Sequence, residues 1–571
     1  MRLTPSRALM ALAVALLAVG LTACGSSGGK KGGTLTVLNA SDFQHADPGA
    51  AYYQFDYMVH LATQRTLYSY KDNQTGEPGT PDLASGPYQI SKDNKTLTIH
   101  IKKGIKFSPP VNREVTSADF KYAFERAFSA NVPNAYVSLY YPLVGAPSAP
   151  KPGVKPISGI QTPDKYTLVL KFTKPSALLG AEALVLPISA PVPKDYAAKY
   201  DKANPSTYDK HQVATGPYMI QNNASGLATG WTPNKEIKLV RNPNWNKSTD
   251  PIRAAYADVI DFREGFDPTE GVKKIETGRS MINGDITPPA NTLHSLTTTY
   301  KDQFVNPDAG GFRYVALNTT KAPFNDVNVR KAAIAGMDKT ALRQARGGPT
   351  AGALAVHFIP KGFPGWEESG GDKTGFDFMD GQHANPTVSA KYFKAAGFSS
   401  GKYTGPHKKI TLTCDNDDPG RSVCLVAQEE LRGMGFQPSI QAVPHEKMYT
   451  ICGIPKQEPE VCPNVGWFKD FYDPAVMIDN TFSGDSIIPE NNSNWAQLND
   501  PKINSAVQKA DPLGNFAERV KAYANINKMV VAQAPGVPYV WDTQPSVRSK
   551  NVKAVINKYI SVWDVANTSL K

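Results

Sequence analysis

KITLTC at residues 409–414, RSVCLVAQEELR at 421–432 and FQPSIQAV at 436–443 follow one another with short loops between. They read as strand, helix and strand, a βαβ unit. Upstream, Asn385 is placed to cap a helix with Pro386 at its first position, and Gly397 ends it. Further strands are expected at Gly33–Leu38 (GTLTVL), Tyr166–Phe172 and Glu236–Arg241. Between Pro87 and Phe107 the polar Ser91-Lys92-Asp93-Asn94 separates YQI from the alternating TLTIHIK, which predicts a hairpin. A helix then opens at Thr116, with Asp119 three residues on as a capping box. Phe120, Phe124 and Phe128 recur at four-residue intervals, an apolar stripe for the core rather than a binding face. Strands alternating with helices define a mixed α/β chain with more than one sheet.

The chain has 571 residues, too many for one ordinary core, and implies two or three domains. Its 41% apolar and 20% charged residues describe a globular chain rather than a disordered one. The net charge of +11 is scattered, with no cluster longer than pairs such as Lys102-Lys103 and Lys408-Lys409. A nucleic-acid binder concentrates its basic residues on one run or face, so nucleic acid is not an expected partner.

Arg2 and Arg7 flank the start of an almost wholly apolar run, Ala8 to Gly20, closed by Leu21-Thr22-Ala23-Cys24. The run is too short to span a membrane and reads as a secretory signal over residues 1–23. A cysteine directly after the cleavage position resembles the lipobox of bacterial lipoproteins. The resemblance implies that Cys24 carries lipid and holds the protein at the outer face of the bacterial cytoplasmic membrane. Residues 24–33 (CGSSGGKKGG) then have the composition of a flexible tether.

Four cysteines remain: Cys414, Cys424, Cys452 and Cys462. Outside the cytosol they suggest two disulfides, with three pairings open. Cys414–Cys424 and Cys452–Cys462, each ten residues apart, make the simplest of the three. A zinc site built from the same four lacks any C-x-x-C spacing, and no two histidines sit at ligand spacing. No metal or other cofactor is expected.

Five segments in order resemble the peptide-type family of extracellular solute-binding proteins that serve ABC importers. They are TLTIHIKKGIKFS…VTSADFKYAFERAF (96–128), TGPY (215–218) with KLVRNPNW (238–245), VALN (315–318) with PFNDVNVRKAAIAGMD (323–338), WFKDFYDP (467–474) and APGVPY (534–539). The resemblance implies a type II periplasmic-binding-protein-like fold, two hinged lobes around a cleft, with an extra third domain. Mapped here, lobe I is discontinuous (34–68, 190–305 and 536–571), the extra domain takes 69–189, and lobe II runs over 306–535. A monomer is expected. A membrane permease and its ATPase are the implied partners. Gly216-Pro217-Tyr218 and Arg330 are expected as turn and packing positions.

In peptide-binding members an aspartate at this place in the Trp-x-x-Asp pattern pairs with the ligand's α-ammonium, which here points to Asp470. A carboxylate in a water-poor cleft offers a charge-assisted hydrogen bond to a group that every free peptide carries. Asp473, followed by Pro474, is expected to cap the next helix and so leaves Asp470 free. Trp467, Phe471 and Tyr472 flank it as aromatic walls, suited to varied side chains. Asp42 and Phe43 follow the first strand, where the family's facing lobe reaches the ligand. Trp467, Trp495 and Asn494 also suit a sugar, so an oligosaccharide is the alternative ligand, and a peptide sensor without transport needs the same cleft. No arginine for a ligand carboxylate is identifiable, which favours longer peptides.

Catalytic look-alikes occur. Ser27 lies in G-x-S-x-G and in S-x-x-K, and Lys373-Thr374-Gly375 supplies K-T-G, which raises an exported penicillin-binding enzyme as a rival. The serine lies in a glycine tether, where nothing holds a transition state, and a nucleophile elbow needs a strand before it and a helix after it. No catalytic residue is assigned.

Overall fold

The computed structural model describes residues 29–74, 78–489 and 492–571. The signal sequence, Cys24 and the serine motifs around Ser27 lie outside the described residues. Three larger sheets organise the fold. In the first, Thr34–Leu38 runs parallel to Val259–Arg263 on one side and to Met281–Asn283 on the other. Glu236–Arg241 and Tyr218–Ile220 extend it in antiparallel fashion. Leu35, Val37, Ile237, Leu239, Ile260 and Phe262 are fully buried, as the alternation of each strand requires.

The second sheet is antiparallel, in the order Gln89–Ile90, Thr96–His100, Thr167–Lys171, Ile160–Asp164. The expected hairpin is its first half, Gln89 facing Thr98 and Ile90 facing Leu97. Helix Ser117–Ala127 packs on it. Its capping box is complete, with the Asp119 carboxylate accepting from the Thr116 N–H at 2.8 Å, and Phe120, Phe124 and Phe128 are buried.

The third sheet is mixed, in the order Gly352–Ala353, Gly536–Thr543, Asp308–Leu317, Val461–Phe468, Lys409–Asp415, Gln437–Val443. Lys409–Asp415 and Gln437–Val443 pair in parallel around helix Gly420–Gly433, the βαβ unit read from sequence. Strand Gly536–Thr543 corrects one boundary. It was expected in lobe I, yet it pairs with Asp308–Leu317 and buries Val537, Tyr539 and Val540 inside this sheet. A chain-terminal stretch gives no sequence sign of which sheet it will complete.

Helix Pro386–Ala395 starts as read, the Asn385 side chain accepting from the Val388 N–H at 3.1 Å. Cys414 pairs with Cys424 and Cys452 with Cys462, at Cα separations of 6.0 and 6.4 Å. The first ties strand to helix within the βαβ unit, and the second ties helix His445–Cys452 to strand Val461–Phe468. Among the described residues no group of three or more metal-binding side chains is assembled.

Buried ion pairs stitch distant segments together. Arg126, on helix Ser117–Ala127, reaches Asp47 and Asp201, each at 2.6 Å. Arg65 and Arg253 share Asp82 and Asp250. The Arg330 guanidinium donates to the carbonyls of Phe324, Gln533 and Ala534, a packing role. Gly216 lies so close to the Ala62 carbonyl that a Cβ there would come to 2.5 Å. Taken together, the sheets make a two-lobed α/β fold with a third domain.

Candidate functional site

Strand Val461–Phe468 runs antiparallel to Asp308–Leu317, with Trp467 opposite Phe312. Just past its end the chain turns and presents Asp470. Tyr136 donates its hydroxyl to Asp470 Oδ1 at 3.2 Å, and the Tyr57 hydroxyl contacts that of Tyr136 in turn. Tyr57 belongs to helix Gln54–Thr63 beside the first sheet, and Tyr136 precedes the turn Val137–Tyr140 near the second. The three residues therefore bring all three parts of the fold to one point.

Burial pushes the Asp470 carboxyl up to about 7, and the hydrogen bond from Tyr136 offsets only part of that. Among the described residues no cation forms an ion pair with it. The hydroxyls of Tyr52, Tyr57 and Tyr136 are raised by burial first and by the Asp470 charge next or after a neighbouring phenol, so they stay protonated donors. A carboxylate held in a low-dielectric setting without a cationic partner is the arrangement that a cationic ligand group completes.

Aromatic rings run outward from this point. The Tyr52 ring lies 5.8 Å from that of Tyr136 and 6.5 Å from Trp467, and Tyr52 keeps 45% of its surface exposed at the edge. Trp467 is 6.1 Å from Trp495, which is 5.5 Å from Tyr449. The buried Trp467 indole N–H has no acceptor among the described residues, a second unmatched polar group on the same wall. Tyr449 accepts from Arg313 at 2.8 Å. Arg313 and Arg346 both pair with Asp542, at 2.6 and 3.1 Å, and the buried Asp415 carboxylate also feels the Arg313 charge.

Of the residues named from sequence, Asp470, Trp467 and Trp495 lie on this one wall. The other named residues lie elsewhere. Phe471 is in the packed interior, and Tyr472 turns away, its ring stacked on Phe516 at 5.4 Å and its N–H donating to the Tyr70 hydroxyl. Asn494 is fully buried and its amide is spent on the carbonyls of Ser483 and Leu498. Phe43 packs edge-on against Phe55 and Trp231 in the core of the first sheet. Asp42 accepts from the Asn234 N–H at 2.9 Å and stands beside Glu264, whose carboxyl is pushed up to about 8 by burial and by Asp42.

Asp473 caps the next helix as expected and takes a second role as well. Helix Ala475–Phe482 begins after Pro474, and Asp473 accepts from the Ala475 N–H at 2.9 Å while forming a fully buried pair with Arg519. Sequence reading missed Tyr52, Tyr57, Tyr136, Tyr449 and Arg313. None carries a local motif, and only the folding of remote segments onto Asp470 singles them out.

Comparison with known proteins agrees with this architecture. Residues 79–488, well over half of the chain, match the family model described as bacterial extracellular solute-binding proteins, family 5 Middle. The oligopeptide-binding protein OppA of Bacillus subtilis is 25% identical over 497 residues, covering 85% of this chain and 83% of its own. Heme-binding protein A of Haemophilus influenzae is 24% identical over 487 residues, covering 83% and 81%. Among solved structures, clavulanic acid biosynthesis oligopeptide binding protein 2 superposes with a TM-score of 0.80 at 23% identity, covering 95% of this chain and 96% of its own. The periplasmic binding protein DppA of Helicobacter pylori, in complex with the peptide STSA, gives 0.75 at 19% identity, covering 95% and 98%.

The family match places the chain among solute-binding proteins of the ABC-importer type rather than among enzymes. The chain belongs to the bacterial extracellular solute-binding proteins of family 5.

Proposed function

We propose that this protein captures oligopeptides in the cleft between its lobes and delivers them to a membrane permease driven by a cytoplasmic ATPase. The observation that carries the reading is Asp470, a carboxyl raised to about 7 in the cleft with Tyr136 as its hydrogen-bond donor and no cation paired to it. A peptide α-ammonium supplies the missing charge. Trp467, Tyr52 and Trp495 offer flat apolar surface to varied side chains, and the Trp467 N–H suits a peptide carbonyl. The Arg313–Arg346–Asp542 group is the proposed end for a ligand carboxylate.

Binding is coupled to closure, because contacts drawn from three parts of the fold favour the closed state that brings them together. Lipid on Cys24 holds the monomer beside the permease in this reading, and residues 34–68 with 190–305 and 544–571, 69–189, and 306–543 are proposed as the moving units. Denaturing extraction and mass spectrometry of the molecules that co-purify test the ligand. A ladder of short peptides, lost from Asp470→Ala, supports the proposal. A tetrapyrrole or an oligosaccharide in their place would leave the binding fold standing and overturn the peptide reading.

A further inference from the structure

A concavity of about 630 Å³, with Asp470 not among its lining residues, lies on the seam between the second sheet and the loop that follows Asn246. His100 and Lys102-Lys103 line it from the end of strand Thr96–His100, with Thr167 from the neighbouring strand. Ser248 and Thr249 close it from the other side. No carboxylate is among the lining residues.

The charge behind the groove is what gives it a sign. Arg65, Arg253, Asp82 and Asp250 form a buried quartet in which two guanidiniums match two carboxylates. Lys102 sits against this quartet and donates to the Asp82 carbonyl at 2.6 Å rather than to a carboxylate. Burial lowers its pKa, consistent with a cation that no ion pair compensates. Lys103, poised 5.2 Å over the Tyr166 ring, adds a second positive charge at the rim, and Glu114 lies behind that ring, accepting from its hydroxyl at 3.1 Å. Arg65 is itself buried and donates to the Thr249 hydroxyl at 3.1 Å, and that hydroxyl donates in turn to the Asn246 carbonyl at 2.8 Å.

We propose that this groove is a second ligand site, separate from the interlobe cleft, and that it takes a phosphate group. Two ammonium point charges suit a tetrahedral oxyanion, while the Ser85, Ser248 and Thr249 hydroxyls donate to protein carbonyl oxygens. A planar carboxylate is better matched by a guanidinium fork, and both nearby arginines are turned inward and used. The volume exceeds what a lone phosphate fills, so the group is carried by a larger compound, either soluble or a lipid headgroup. An anion bound here touches both sides of the seam and holds the second sheet against the 246–251 loop.

Two measurements on the folded protein test this: titration with inorganic phosphate followed by calorimetry, and co-sedimentation with phosphatidylglycerol vesicles against phosphatidylcholine vesicles. The variants are Lys103→Gln, whose exposed side chain cannot endanger folding, and Lys102→Gln/Lys103→Gln. Thermal unfolding serves as the control for the double variant. Phosphate binding that falls at least fivefold in the variants, without a preference for the anionic vesicles, supports a soluble phosphate compound. A preference for phosphatidylglycerol that is lost in the variants and weakens with salt supports a headgroup. Binding of neither probe by the unaltered protein, or equal binding by the variants, overturns the assignment.

Discussion

Tyr136 and Asp470, 334 residues apart in the chain, meet through a hydroxyl-to-carboxylate hydrogen bond of 3.2 Å. One partner belongs to the region of the small antiparallel sheet, and the other follows a strand of the large mixed sheet. The contact joins these two regions and, among the described residues, leaves Asp470 without an ion-paired cation.

Replacing Asp470 by alanine should weaken peptide binding by about 2–5 kcal/mol, since a desolvated ammonium then loses its partner. Without peptide, Asp470→Asn should be more stable than the parent at pH 8, by up to about 4 kcal/mol, because the folded state no longer holds a carboxyl raised to about 7. Calorimetric affinity and chemical denaturation check the two effects. Unchanged affinity for a bound peptide would remove Asp470 from the site.

The same group sets a pH dependence for binding. In the unliganded protein the carboxyl releases its proton near pH 7, whereas pairing with an ammonium requires the ionised form. Peptide affinity should therefore rise from pH 5 to about 7 and fall again where the α-amino group, with a pKa of about 8, loses its charge. Titrations across that range in Asp470→Asn should lose the acid limb.

Tyr136→Phe removes the hydroxyl and keeps the ring against Tyr52. The unliganded protein should open more readily, read as a larger radius of gyration in solution scattering. Peptide affinity should fall by about 1 kcal/mol, the ordinary net worth of one hydrogen bond.

Glu458 is fully buried, and burial pushes its carboxyl up to about 9, with Gln497 donating to one oxygen at 2.8 Å. The folded state keeps the proton up to that pH, while the unfolded chain releases it near the ordinary glutamate value of 4.5. The unfolded state thus binds fewer protons between those values, and stability falls as pH rises through the window. Glu458→Gln should flatten that part of the stability profile and raise the melting temperature at pH 8.

The Arg519–Asp473 pair has no exposed surface on either side chain. Arg519→Ala strands a buried carboxylate, and the protein should lose about 3–5 kcal/mol in denaturant unfolding. Removing the second disulfide through Cys452→Ser/Cys462→Ser should cost about 2–4 kcal/mol. It should also weaken peptide binding, because helix His445–Cys452 carries Tyr449 to the end of the aromatic wall.

Sequence alone determined what is periodic or adjacent. The alternation in TLTIHIK, the phenylalanine stripe of Phe120, Phe124 and Phe128, the Thr116–Asp119 box and the βαβ run each rest on neighbours a few residues away, and so they were legible without coordinates. The ten-residue cysteine spacings and the Trp-x-x-Asp pattern containing Asp470 belong to the same class. Tertiary structure alone decided which remote groups converge. It brought Tyr57 and Tyr136 onto Asp470, turned Tyr472 away, spent the amide of Asn494 on two carbonyls and placed Gly536–Thr543 in the large sheet. The physical reason is that burial, and with it the charge state and the partners of a polar group, depends on chain segments hundreds of residues away, and no local pattern records their arrival.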